Sequence, residues 1–121
     1  MIPRVVAMRA PESVLPLSPA MFHVLMCLAE GDRHGYRILK DVAARTGGRV
    51  ELSTGTLYGI IKRLLDEGLV TEVRSGSERR RAYRLTAFGT AVARAEAARL
   101  HEMVTAARAT GLLSAVRKGR A

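Results

Sequence analysis

Apolar residues fall at helical spacing in three successive stretches, then at a spacing of two, then at helical spacing again. Met21, Val24, Leu25 and Leu28 follow one another at i, i+3, i+4 and i+7, which is the stripe of one helix face. Ser18-Pro19 supplies the start, a hydroxyl cap with proline at the first helical position, and Gly31 supplies the stop. A second helix is predicted from about Arg33–Gly35 to Gly47-Gly48, with Tyr36, Leu39, Val42 and Ala43 along it. Ser53 caps a third, in which Leu57, Ile60, Ile61, Leu64 and Leu65 form the apolar stripe. Gly68 ends it, and Leu69 is placed for the hydrophobic contact of a Schellman-type stop.

The period then changes. Leu69–Arg74 and Arg80–Leu85 are strand candidates around a turn-rich tip, Ser75-Gly76-Ser77-Glu78. Alternation puts Tyr83 and Leu85 on one face and Arg80, Ala82 and Arg84 on the other. Thr86 caps a long helix, about Ala87 to Thr110, holding Val92, Leu100, Met103, Val104 and Ala107. Residues 1–17, with Pro3, Pro11 and Pro16 and little periodicity, read as a flexible N-terminal leader in which Met8 is a second candidate start. The expected fold is mainly α with a small β-hairpin (α+β), in the order α-α-α-β-β-α of a winged helix-turn-helix.

Composition sharpens this. The chain has 121 residues, enough for one domain, and 48% hydrophobic residues can build a core. Aromatics are 4% with no Trp, so that core is aliphatic, which favours helices. Twenty Lys and Arg against eleven Asp and Glu leave a net charge of +9, and a domain this basic attracts a polyanion. Lysine occurs only at Lys40, Lys62 and Lys118; codon bias accounts for a high Arg/Lys ratio but not for the excess of positive charge. One cysteine, Cys27, excludes an intramolecular disulfide and fits a reducing compartment. No apolar run is long enough for a bilayer or a signal peptide, so the expected location is cytoplasmic, without a membrane partner.

Three short helices cannot each hide an apolar stripe alone and must share one small core. The second and third then form a helix-turn-helix whose second member can enter a major groove, and the hairpin becomes a wing. Ser53, Thr54, Gly55 and Thr56 open the third helix, where free amides and the positive dipole end favour phosphate. Gly55 permits close approach, hydroxyls can donate to phosphate oxygens, and Tyr58, Lys62 and Arg63 extend the same face. Arg74, Arg79, Arg80, Arg81 and Arg84 lie at or near the wing tip. Each piece has a plain rival: Ser53 as a simple cap, the basic face as solvated surface, the arginines as an aid to solubility. The order of elements together with the charge carries the DNA-binding expectation.

The residues also resemble the PadR-like transcriptional regulators. Ser53-Thr54-Gly55-Thr56-Leu57-Tyr58, then Lys62-Arg63-Leu64 and Glu67-Gly68-Leu69-Val70, are similar to that family's recognition helix. Leu28-Ala29-Glu30-Gly31, His34-Gly35-Tyr36 and Arg45-Thr46-Gly47-Gly48 resemble its first two helices, and Arg80-Arg81-Ala82-Tyr83-Arg84-Leu85-Thr86 with Gly89 resembles its wing strand and following cap. The resemblance covers roughly residues 17–90. It implies a homodimeric repressor with a single C-terminal dimerisation helix, and many members respond to small effector molecules. Two departures stand out: Gly59 replaces a frequent proline, and no Trp is present for stacking flat drugs.

The expected layout is a DNA-binding domain over 18–86, a dimerisation helix over 87–110 and a mobile basic tail over 111–121. Leu100, Met103, Val104 and Ala107 have little domain surface left to cover, so a partner helix is their natural place; the rival is a fold back onto the first helix. The expected partners are double-stranded DNA, a second copy and a small effector. His23, His34 and His101 lack ligand-spaced neighbours, and no phosphate loop, nucleophile elbow or paired-His motif is present. Neither an enzyme nor a cofactor or metal is therefore expected. The alternatives are a winged-helix protein-interaction module and a sequence-independent nucleic-acid-binding protein.

Overall fold

The computed structural model describes the backbone of residues 9–75 and 77–114, and the side chains of these outside 75–80. The four helices are α1 (Pro19–Ala29), α2 (Gly35–Arg45), α3 (Thr54–Asp66) and α4 (Ala87–Ala109). The strands are β1 (Arg33–His34), β2 (Val70–Ser75) and β3 (Ser77–Leu85), joined in one antiparallel sheet of order β1-β3-β2. This is a winged helix: α2 and α3 make the helix-turn-helix, and β2 and β3 the wing.

Ser18, Ser53 and Thr86 each cap a helix by accepting the amide of the residue three positions on, which satisfies one otherwise orphaned donor. Val24, Leu25 and Leu28 of α1 meet Ile38 and Val42 of α2 and Leu57, Ile61 and Leu64 of α3. Leu69, Val70 and Tyr83 of the sheet and Val92 of α4 close this core. Two expectations about the stripes change. Tyr36 is 69% exposed, because on α2 the inward line runs through Gly35, Ile38 and Val42. Leu65 is 37% exposed, lying at the margin of the stripe whose centre is Leu57, Ile61 and Leu64.

The wing is longer and more regular than the turn composition suggests. Ser77, Glu78 and Arg79 belong to β3, which pairs from Val70↔Leu85 to Arg74↔Arg81 and ends in a bulge at Arg74/Ser75. β1 is an addition to the expected hairpin, pairing Arg33 with Tyr83 and His34 with Ala82. With strands on both sides, β3 buries Ala82 as well as Tyr83. Two residues are too short for a periodic signal, so sequence left β1 unseen.

Residues 9–17 also differ from a loose leader. Pro11–Val14 form a 3-10 helix, Val14 and Leu15 pack against the core, and Leu17 is buried in it. The anchor is polar: the Leu17 amide donates to Glu96 Oε2 at 3.1 Å. Glu96 is 1% exposed and receives two further bonds from Arg99, at 2.6 and 2.9 Å, so its buried charge is paired. Residues 1–8 of the leader and 115–121 of the basic tail lie outside the described residues.

Both ends of the wing converge on Gly68 and Leu69. Gly68 adopts a φ of +79°, a conformation that glycine takes without steric cost. The Gly68 and Leu69 amides bond back to Leu65 and Leu64 at 3.1 and 2.9 Å, completing the Schellman stop. Thr86 Oγ1 donates to the Gly68 carbonyl at 2.6 Å, and the Thr86 amide to the Leu69 carbonyl at 3.0 Å. A methyl group on Gly89 would overlap the Leu69 carbonyl oxygen and stand 2.8 Å from its carbon.

Because that obstacle is backbone, Gly89→Ala should destabilise the fold by about 3 kcal/mol, seen as a lower urea midpoint at unchanged m-value. The Glu96 carboxyl is held below its usual range, first by Arg99 and then by the Leu17 amide, against the opposing effect of burial. A lowered folded-state pKa gives stability that is fully present above the unfolded carboxylate value and lost as pH falls through the folded one. Thermal unfolding followed from neutral to acid pH should show this loss, and Glu96→Gln should flatten that acid limb.

Candidate nucleic-acid interface

α3 divides cleanly into an anchored side and an open side. Leu57, Ile61 and Leu64 hold it to the core, while Thr54, Gly55, Thr56, Tyr58, Lys62 and Arg63 are all exposed. Ser53 Oγ accepts the Thr56 amide at 3.0 Å and donates to Thr56 Oγ1 at 3.0 Å. Ser53 is thus a cap, and its hydroxyl proton is committed to Thr56. The amides of Thr54 and Gly55 precede the first intrahelical bond, from Leu57 to the Ser53 carbonyl, and face the exposed end where the dipole favours an anion.

Gly55 and Gly59 lie one turn apart on the open side, and a Cβ at either would meet nothing within 4 Å. Neither has a positive φ. Internal packing therefore gives no reason for glycine at these positions, although each costs helix stability.

The wing contributes Arg81, whose side chain is 68% exposed and pairs with Glu72 at 3.1 Å. Arg74 sits directly across from Arg81 in the register, and like charges so placed repel. Lys62 pairs with Asp66 at 3.0 Å. Both pairs are exposed, and such pairs are worth about 1 kcal/mol or less, so either cation can exchange its carboxylate for a phosphate at little cost. The side chains of Arg79 and Arg80 lie outside the described residues; their backbone lies in β3. Arg84 is not part of a tip: it makes two bonds to Asp32, at 3.0 and 2.8 Å, tying β3 to the turn before β1. The Arg84 guanidinium holds the Asp32 carboxyl below its usual range.

α2, α3 and the wing meet in a cleft lined by His34, Gly35, Tyr36, Arg37, Tyr58, Arg81 and Tyr83. His34 Nδ1 lies 3.3 Å from the Arg81 carbonyl oxygen, joining the start of α2 to the wing. Burial pushes the Tyr83 hydroxyl up from its ordinary value, aided by Tyr58 and Glu72 nearby. Tyr36 and Arg37 were not among the residues expected here. Their exposure follows from the direction of α2, whose inward line runs through Gly35, Ile38 and Val42.

Away from this face, residues 101–106 of α4 are exposed throughout. Met103 and Val104 are 56% and 41% exposed, while Leu100 and Ala107 are half-buried. The fold back onto α1 is thus not made by Met103 or Val104. Burial pushes the Cys27 thiol up, against the nearby Arg45 guanidinium that lowers it, which disfavours the reactive thiolate. Among the described residues no three His, Cys, Asp or Glu gather in a way that would hold a metal ion, and no helix is long and apolar enough to cross a membrane.

The profile of the Transcriptional regulator PadR-like family matches residues 24–95, which takes in both helices of the helix-turn-helix, the wing and the first part of α4. The chain belongs to this family. A protein of Lysinibacillus sphaericus is 32% identical over 72 residues, covering 56% of this chain and 65% of that one. The chain thus spans just under two thirds of that relative's length. A transcriptional regulator from Clostridium thermocellum superposes with a TM-score of 0.64 at 26% identity, over 76% of this chain and 94% of that one. A PadR family transcription regulator from Clostridium difficile shares the fold, with a TM-score of 0.64 at 22% identity over 74% of this chain and 95% of that one.

Within this PadR-like frame the open glycines are testable. Gly59→Ala should stabilise the protein by about 0.5–1 kcal/mol, read as a higher melting temperature. An unchanged or lower value would mean that glycine has an internal role at this position.

Proposed function

We propose that this PadR-like protein is a sequence-specific DNA-binding repressor, acting as a homodimer on a pseudo-palindromic operator and released by a small effector. The observation that carries the DNA-binding reading is the open side of α3. Its unobstructed first turn, its two glycines and Tyr58, Lys62 and Arg63 lie beside a wing bearing Arg74 and Arg81. Thr54, Gly55 and Thr56 would face phosphate or base edges at the groove entrance, with Lys62 and Arg63 one to two turns further on. Arg79, Arg80 and Arg81 would hold the backbone through the wing.

The dimer reading rests on Leu100, Met103, Val104 and Ala107, which recur at helical spacing on a half-helix with exposed apolar groups. A two-fold arrangement would set the two copies of α3 into successive major grooves about 34 Å apart. A groove lined by Phe22, Met26, Leu85 and Ala93, with Arg94 at hand, would serve a small apolar anion as effector.

The test is fluorescence anisotropy with a duplex from upstream of the protein's own gene and a scrambled duplex, both at physiological salt. The expected result is a Kd on the order of nanomolar for the first and much weaker binding to the second. Equal weak binding to both would favour a charge-driven nucleic-acid-binding protein, and no binding would favour a protein-interaction module. Arg81→Ala should weaken binding to every duplex and reduce the salt slope by about one unit. Sedimentation at micromolar concentration should show a dimer; a monomer would remove the two-fold reading.

A further inference from the structure

Gly35 opens α2 and is buried, yet it has no positive φ, so its backbone would accept any residue. What excludes a side chain is Tyr58. A methyl group on Gly35 would overlap the Tyr58 hydroxyl oxygen and stand 2.8 Å from Cζ and 3.4 Å from Cε1. The phenol end of Tyr58 therefore lies directly on the Gly35 backbone, across the gap between the two helices of the helix-turn-helix.

Tyr58 projects from the open side of α3 and is 45% exposed. Its ring is rigid and turns about only two side-chain torsions, so contact at the far end of the ring decides its direction. With glycine at position 35 the ring lies in the cleft between α2 and the wing, beside Arg37 and Arg81. With a methyl there, the hydroxyl must move by an ångström or so to regain van der Waals distance, and the half-exposed ring has solvent to swing into. The substitution thus acts on the direction of one side chain and leaves the packed core in place. This is the reverse of Gly89, where the obstacle is backbone.

We propose that Gly35 is a positioning residue: it is the seat that turns Tyr58 into the cleft, and duplex affinity depends on Gly35 through Tyr58. The inference rests on the DNA-binding reading and adds to it a residue that touches no DNA itself. It also explains why two residues far apart in sequence belong to one device. His34 anchors the start of α2 to the Arg81 backbone, so the seat is registered against the wing as well as against α3.

The experiment is a double-mutant cycle on the full chain, with wild type, Gly35→Ala, Tyr58→Ala and the double variant. Each is titrated against the same duplex, with melting curves run in parallel. Gly35→Ala should keep a melting temperature near wild type but bind about tenfold more weakly, the scale of one lost specific contact. In the Tyr58→Ala background the same change should cost nothing further, which is the mark of two residues acting through one interaction. Equal losses in both backgrounds, or no loss from Gly35→Ala alone, would overturn the proposal. The seat is also read without DNA, by a nuclear Overhauser contact between the Tyr58 ring and the Gly35 α-protons, and its absence would overturn the proposal too. A wild type that shows this contact and binds no duplex would retain the seat, strike down the DNA-binding reading, and with it overturn the affinity half of the proposal.

Discussion

Gly68 and Leu69 serve three neighbours at once, and the junction of α3, the wing and α4 follows from that. Their amides terminate α3, their carbonyls receive Thr86, and the Leu69 carbonyl is covered by Gly89. Thr86 in turn caps α4 through the Gly89 amide. The end of the helix-turn-helix, both ends of the wing and the start of the long helix are therefore fixed within a few residues of each other. The bonds from Thr86 to Gly68 and Leu69 join residues 18 and 17 apart in the chain and close the base of the wing. A shift of the α3 terminus would carry the wing and α4 with it.

The charge distribution follows from the same geometry. Many arginines are tied to carboxylates: Arg33 and Arg37 to Asp41, Arg45 to Glu30, Arg84 to Asp32 and Arg99 to Glu96. These pairs link elements or fix helix surfaces, and they take much of the acidic complement with them. On the open side of α3 and along the wing, Lys62 and Arg81 have only exposed partners. Net charge by itself said that a polyanion was a plausible partner. The pairing pattern adds that the two pairs on the open side of α3 and the wing, Lys62–Asp66 and Arg81–Glu72, each stay within one element or one hairpin.

Most of the fold was legible because it is written in repeating signals. Three of the four helices carry a hydroxyl cap, α3 has a Schellman stop, and apolar stripes mark the helices; each has a mechanism that acts over about one turn. What escaped lacked such repetition. β1 is two residues long and exists only because β3 has a free edge there. Leu17 and the segment before it are held by Glu96, a partner 79 residues away. Tyr36 sits at helical spacing from Leu39 and Val42, yet its direction depends on where Ile38 and Val42 point. For the candidate site, position along α3 gave the exposed face, but the pairing of Tyr58 with Gly35 is a tertiary contact that no local pattern encodes.

That contact and the open glycines suggest how α3 reconciles two demands. A helix of 13 residues with two interior glycines has little stability of its own. It is held by Ser53 at one end, Gly68 at the other and three buried residues between. With the helix secured from those positions, its outward side needs no propensity and can be left bare at Gly55 and Gly59, where a close-approaching surface would otherwise meet methyl groups. Tyr58 stands between these two bare positions, with its direction set from outside its own helix by Gly35. The inward side thus fixes where α3 lies, and a residue of the neighbouring helix fixes what it presents. The residues that hold α3 in place and those it leaves exposed are therefore largely different members of the same 13, and a change in one need not alter the other.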